Sequence, residues 1–120
     1  MMLMKNTRKR LVDSVLSGKT RVTIYSNTRY DWGFTTNAKI DTGADRSSID
    51  LKLAKALRLR KIGEVRVRSA NGRTVRPVYA MLVEINDYVY DIEVSAIDRS
   101  KLAYPLILGR LDLQEICEEE

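Results

Sequence analysis

No histidine occurs in the 120 residues, and Cys117 is the lone cysteine. Without them the chain has no disulfide framework, no usual zinc-ligand set, and no Ser-His or Cys-His nucleophile pair. Any chemistry must rest on carboxylates, lysines, tyrosines or serines. A long hydrophobic run is also missing: the start, MMLMKNTRKRLVDSVLSG, reaches a charged cluster after four apolar residues, too soon for a secretory core or a membrane span. The expected location is cytoplasmic. No phosphate-cradling glycine loop appears, which argues against ATP use. No cofactor and no metal are expected.

What is present is ordinary globular composition, 44% hydrophobic and 31% charged, at a length that closes one core but not two substrate-binding lobes. An enzyme with a two-lobed cleft would need two copies of the chain. The net charge of +5 is unevenly spread. Nine Lys or Arg lie between Lys52 and Arg76 against Glu64 alone, whereas residues 81–120 hold ten acids and three bases. Such polarity steers an anionic partner or simply solvates exposed faces. Nucleic acid is disfavoured as that partner, since Tyr79, Tyr88 and Tyr90 all lie beyond the basic stretch instead of interleaving with it.

Hydrophobic periodicity organises the chain. Residues 7–17 suit a short helix ended by Gly18, so residues 1–20 read as an N-terminal extension and residues 21–120 as the domain proper. RVTIYS (21–26) and GFTTNAKI (33–40) read as strands joined by a polar turn at residues 27–31. Ser47, Ser48 and Asp50 are candidate caps for a helix over residues 51–59. Residues 64–70 alternate strictly, Asn71-Gly72 is a strong hairpin signal, and residues 73–85 return as a long strand with Pro77 at an edge or bulge. A turn at Asn86-Asp87 leads to a strand over residues 88–97. YPLILGR (104–110) is a short apolar run before a helical tail. Short strands with turns every 8 to 12 residues predict an all-β, closed or nearly closed barrel with one or two short helices.

The chemistry concentrates at AKIDTGADRSSID, residues 38–50. Asp41 ends an apolar strand, where an unsupported carboxylate costs several kcal/mol of desolvation. Gly43 is expected to take a positive φ that brings main-chain groups to that carboxylate, with the Thr42 hydroxyl anchoring the loop. One held carboxylate is a poor hydrolytic catalyst, because amide attack needs a base for water and an acid for the developing products. A twofold dimer supplies both, since two adjacent Asp41 carboxylates share one proton.

IDTGAD (40–45) followed by LILGR (106–110) resembles the paired signatures of retropepsin-type aspartic proteases. AKIDTGA, SSID, Arg76-Pro77-Val78 and the run from Asp98 to Arg110 are similar in particular to a prokaryotic retropepsin-like family labelled ATP-dependent zinc proteases, although this composition offers no zinc set. The resemblance covers about residues 21–113. It implies a retropepsin-like barrel active as a twofold homodimer, with Asp41, Thr42 and Gly43 as the catalytic triplet. Thr42 would brace the two loops across the dimer, and Gly43 would line the cleft with its carbonyl. Ala44, Asp45 and a flap formed by Asn71, Gly72 and Arg73 would hold substrate, with Gly109 and Arg110 as structural support and Arg110 paired to Asp45. The activity implied is that of an aspartic endopeptidase, an enzyme, acting on peptides or proteins. Basic residues flanking the cleft favour acidic peptides, and the family's association with glutamate-adding ligases suggests glutamate-rich tails. The alternative is a catalytically inactive peptide-binding or dimerisation module on the same barrel.

Overall fold

A computed structural model describes residues 17–27, 32–69, 72–98 and 103–119 of the chain. The helix expected over residues 7–17 falls, except for Ser17, outside them, as do residues 28–31 of the first turn, Asn71 of the second, and the Cys117 side chain. In chain order the elements are β1 (Lys19–Tyr25), β2 (Gly33–Asp41), β3 (Ser48–Asp50), α1 (Leu51–Ala56), β4 (Arg60–Ser69), β5 (Gly72–Ile85), β6 (Tyr88–Ile97), β7 (Leu106–Gly109) and α2 (Arg110–Glu119). The sheet runs β1-β2-β7-β3-β6-β5-β4, and pairing of β1 with β5 closes six strands into a barrel, leaving β4 outside it.

Alternation decides which side chains fill the barrel. Val22 and Ile24 of β1, Ala38 and Ile40 of β2, Met81, Val83 and Ile85 of β5, Ile92 and Val94 of β6, and Leu106 and Leu108 of β7 are all buried. Their neighbours in sequence face outward, among them Ser95 and Ile107. Leu113 and Ile116 of α2 join this core. Full burial stabilises by roughly 1.5–3 kcal/mol for each large aliphatic side chain.

The β5–β6 connection is the expected two-residue turn: Ile85 pairs with Tyr88, and Asn86 and Asp87 both take positive φ (53° and 72°), the backbone that matches strand twist. The β4–β5 connection is shifted by one residue from the sequence expectation. Ser69 pairs with Gly72, so the link is residues 70–71 and Gly72, at φ 109°, opens β5. The first residues of β5 are exposed and pair only with β4, whereas from Val78 onward β5 also pairs with β6. The hairpin therefore projects from the barrel as an arm. Pro77 sits just before β6 pairing begins, beside a register shift between Lys61 and Gly63 of β4, where its missing N–H costs no ladder bond.

α1 stops at Ala56, short of the expected residue 59. Leu57 and Leu59 are both buried, two positions apart, which one helix face cannot achieve. Arg58, at φ 54°, turns the chain so that both reach the core. The Leu57 carbonyl then accepts Asn27 N–H (3.1 Å) and the Ser26 hydroxyl (3.2 Å).

Candidate active site

Ala38 and Ile40 point into the core, so alternation carries Asp41 to the end of β2 and half out of it. Parallel pairing places Lys39, Ile40 and Asp41 opposite Ile107, Leu108 and Gly109. Segments separated by more than sixty residues thus lie side by side. The turn after Asp41 is tight: its main-chain carbonyl accepts Ala44 N–H (3.2 Å), and its Oδ1 accepts Gly43 N–H (3.1 Å). Gly43 does not adopt the expected positive φ; among the described residues only Gly18 and Gly72 do so as glycines. What this position needs is room, because a Cβ here would lie 3.3 Å from Asp41 Oδ1 and crowd the carboxylate that its N–H steadies.

The following loop, residues 44–47, is clamped over the end of β7. Arg110 N–H donates to the Ala44 carbonyl (2.7 Å) and Leu111 N–H to that of Asp45 (3.2 Å). Gly109 lies against the Arg46 backbone so closely that a Cβ would meet it at 2.5 Å. Ser47, expected as a helix cap, is instead fully buried and acts as a two-way link. Its Oγ accepts Gly109 N–H (3.0 Å) and donates to Asp112 Oδ2 (2.5 Å). Ser48 belongs to β3, and Asp50 occupies the N-cap of α1 without a side-chain cap bond. Arg110 donates to Asp45 Oδ1 at 3.0 Å, with both side chains substantially exposed. Thr42 is exposed.

Between this loop and the arm lies a cavity of about 460 Å³. The loop contributes Ala44, Asp45 and Arg46, and the outward faces of β3, β6 and β7 contribute Ser48, Ser95, Ile97 and Ile107. Val65 pairs with Arg76 and Val67 with Thr74, and directly paired residues share a sheet face, so Arg76 lies with the valines on the cavity side; Arg66 and Arg68 also border the space. Arg73, an odd number of positions from Arg76, falls on the outer face of the arm and is exposed. Asp41, Thr42, Gly43, Ala44, Asp45, Gly109 and Arg110 are therefore assembled in one place, with Gly72 at the tip of the arm and Arg73 turned away. The sequence reading missed Arg76 as a cavity residue and Ser47 and Asp112 as loop supports. Strand parity would have found Arg76, but no local signal joins Ser47 to Asp112.

Among the described residues no group of three or more Cys, Asp or Glu is placed to hold a metal ion, and no helix is long and apolar enough to cross a membrane. The pKa of Tyr25 is raised above its ordinary value of 10.0, first because its hydroxyl donates to Glu84 (2.8 Å), then through burial and the nearby Glu84 charge.

The sequence profile of a family described as aspartyl protease matches residues 28–110. Similar solved structures include the simian foamy virus (mac) protease, with a TM-score of 0.62 and 17% identity over 85% of this chain and 98% of that one. The EIAV protease complexed with an inhibitor aligns at TM-score 0.60 and 21% identity, covering 82% and 86% of the two chains. A Legionella pneumophila protein of unknown function aligns at 0.55 and 23%, covering 82% and 85%. At these identities the likeness is one of fold, a retropepsin-like barrel. No curated protein matches the chain.

Proposed function

The chain belongs to the aspartyl protease family, and from that premise we propose that it is a homodimeric aspartic endopeptidase whose catalytic pair is Asp41 from each of two subunits. The observation that carries this reading is the local geometry of Asp41. It is fixed at the end of β2 by β7, its Oδ1 is held by Gly43 N–H, and Ala44 and Asp45 lead directly from it into the cavity under the arm. One chain supplies half of such a cleft and one of its two carboxylates.

In the dimer the two carboxylates share one proton. The ionised member takes a proton from a water held between them as the water oxygen attacks the peptide carbonyl carbon. The protonated member gives its proton to the carbonyl oxygen, producing a neutral gem-diol. Collapse returns a diol proton to one carboxylate while the amide nitrogen takes the proton held by the other. The C–N bond then breaks and the shared proton is restored. Thr42, exposed beside Asp41, braces the two loops. The arm, with Gly72 at its tip, closes over the peptide, and Asp45, oriented by Arg110, receives peptide main-chain groups. Arg46, Arg66, Arg68 and Arg76 around the cavity favour acidic or glutamate-rich peptides.

Incubating the wild type and Asp41→Asn with a mixed peptide library from acid to neutral pH tests the reading. Cleavage by the wild type that Asp41→Asn abolishes supports it. Binding without cleavage by both proteins would instead identify a peptide-binding module.

A further inference from the structure

Beside the cavity under the arm lies a second groove of about 320 Å³, and the two share Asp45, Arg46, Val65 and Ser95 as a common wall. Their electrostatic characters are opposite. Arg46 and Arg76 make the inner cavity basic, with Arg66 and Arg68 at its border, whereas the outer groove gathers Asp91 and Glu93 from the outward face of β6 and Asp112 and Glu115 from α2, with Arg46 as its one cation among the described residues. Resting on the endopeptidase reading for the position of the scissile bond, we propose that this outer groove is a subsite for a lysine or arginine side chain of the substrate. The enzyme would then select mixed-charge peptides instead of uniformly acidic ones.

Three features favour a long cationic side chain. The acids form a rim around an apolar wall of Val65, Val78 and Leu111, the last 47% exposed. Lysine and arginine match such a wall, since their methylene stems lie along apolar surface while the charged head reaches outward. The acids are not gathered tightly enough for a metal ion among the described residues. They are also under-compensated: Asp112 receives only the Ser47 hydroxyl, and Asp91, Glu93 and Glu115 form no ion pair among the described residues.

Ser95 lies at the junction of the two pockets. Its neighbours Val94 and Ala96 point into the barrel, so its side chain faces the wall shared by the two pockets. It is nine-tenths buried, and its hydroxyl has no hydrogen-bond partner among the described residues. An extended peptide places successive side chains of one face about 7 Å apart. That interval lets one substrate strand present an acid to the inner cavity and a base to the adjoining groove. A uniformly acidic peptide gains at the first position and is repelled at the second.

The test uses the full-length protein and positional-scanning peptides, comparing the wild type with Glu93→Lys, whose side chain is exposed and outside the active-site loop. The expected profile enriches Glu nearer the scissile bond and Lys or Arg farther out on both sides. Glu93→Lys should lower kcat/KM about tenfold for peptides with Lys at the outer position and raise it for those with Glu there. Peptides neutral at that position should change little. Equal effects on all three peptide classes, or wild-type preference for acid at the outer position, would overturn the proposal while leaving the endopeptidase reading intact. If the wild type cleaves nothing, fluorescence anisotropy of the same peptides decides. Lys-dependent binding that Glu93→Lys abolishes upholds the groove and removes the peptidase reading, and binding without charge preference removes both.

Discussion

Replacing Gly109 with alanine probes the clamp that positions Asp41. The added Cβ would lie 2.5 Å from the Arg46 carbonyl carbon, 2.7 Å from its oxygen and 2.9 Å from its nitrogen, whereas ordinary contact begins at 3.4 Å. Three backbone atoms must therefore retreat by about 0.5–0.9 Å. The loop has little freedom to do so, because Ala44 and Asp45 are bonded to Arg110 and Leu111 on one side and Ser47 to Gly109 and Asp112 on the other. Overpacking of this kind costs about 1–3 kcal/mol, and weakening even one of those bonds adds about 1 kcal/mol. A total of roughly 2–4 kcal/mol lowers Tm by roughly 8–16 °C for a domain of this size. Gly63→Ala is the matched control. Gly63 lies in β4 with nothing within 4 Å of where the added methyl group would sit and without positive φ, so a change within about 1 kcal/mol is expected. Urea and thermal unfolding followed by circular dichroism read both variants. A Gly109→Ala protein as stable as Gly63→Ala would refute the threading of loop 44–47 over β7.

Ser47→Ala strands a buried Gly109 N–H and deprives Asp112 of a donor, so it should cost about 1–3 kcal/mol. A double-mutant cycle with Asp112→Ala should show coupling of about 0.5 kcal/mol or more, and strict additivity would deny the link. Arg110→Ala removes an ion pair whose partners are 46% and 73% exposed, so urea unfolding should register a loss below about 1 kcal/mol; a much larger loss would mean that Arg110 supports the fold in another way. The raised Tyr25 value means that the folded state holds the phenol proton more tightly than the unfolded one. Its contribution is complete below the ordinary value of 10.0 and is lost as pH rises through the higher folded value. Stability profiles of the wild type and Tyr25→Phe should therefore run parallel up to about pH 10.0, converge between 10.0 and the higher folded value, and stay together above it; parallel curves throughout would exclude the Glu84 bond as the cause.

Where local pattern alone dictates structure, the sequence was readable. The strand at residues 88–97, the Asn86-Asp87 turn and the long return strand of β5 follow from alternation and turn chemistry, which depend on neighbouring residues. Asp41 was readable for the same reason, as a carboxylate stranded at the end of an apolar strand. Long-range packing made the rest illegible. α1 ends early because Leu57 and Leu59 are both drawn into a core formed by distant strands, and Ser47 is drawn from capping to a contact 65 residues away. Gly43 is needed for its closeness to Asp41 Oδ1, which a φ-based argument does not anticipate. The facing of Arg76 depends on the one-residue hairpin register fixed by Ser69 and Gly72.

The most direct test of a catalytic pair shared between subunits is a mixing titration. Wild type and Asp41→Asn are combined at fixed total concentration, allowed to exchange subunits, and assayed for peptide cleavage. If both carboxylates are required, an equal mixture retains about a quarter of the activity of wild type alone, the share of dimers with two intact subunits. Retention of half, in proportion to the wild-type chains present, would show that each chain works alone and would contradict the shared pair.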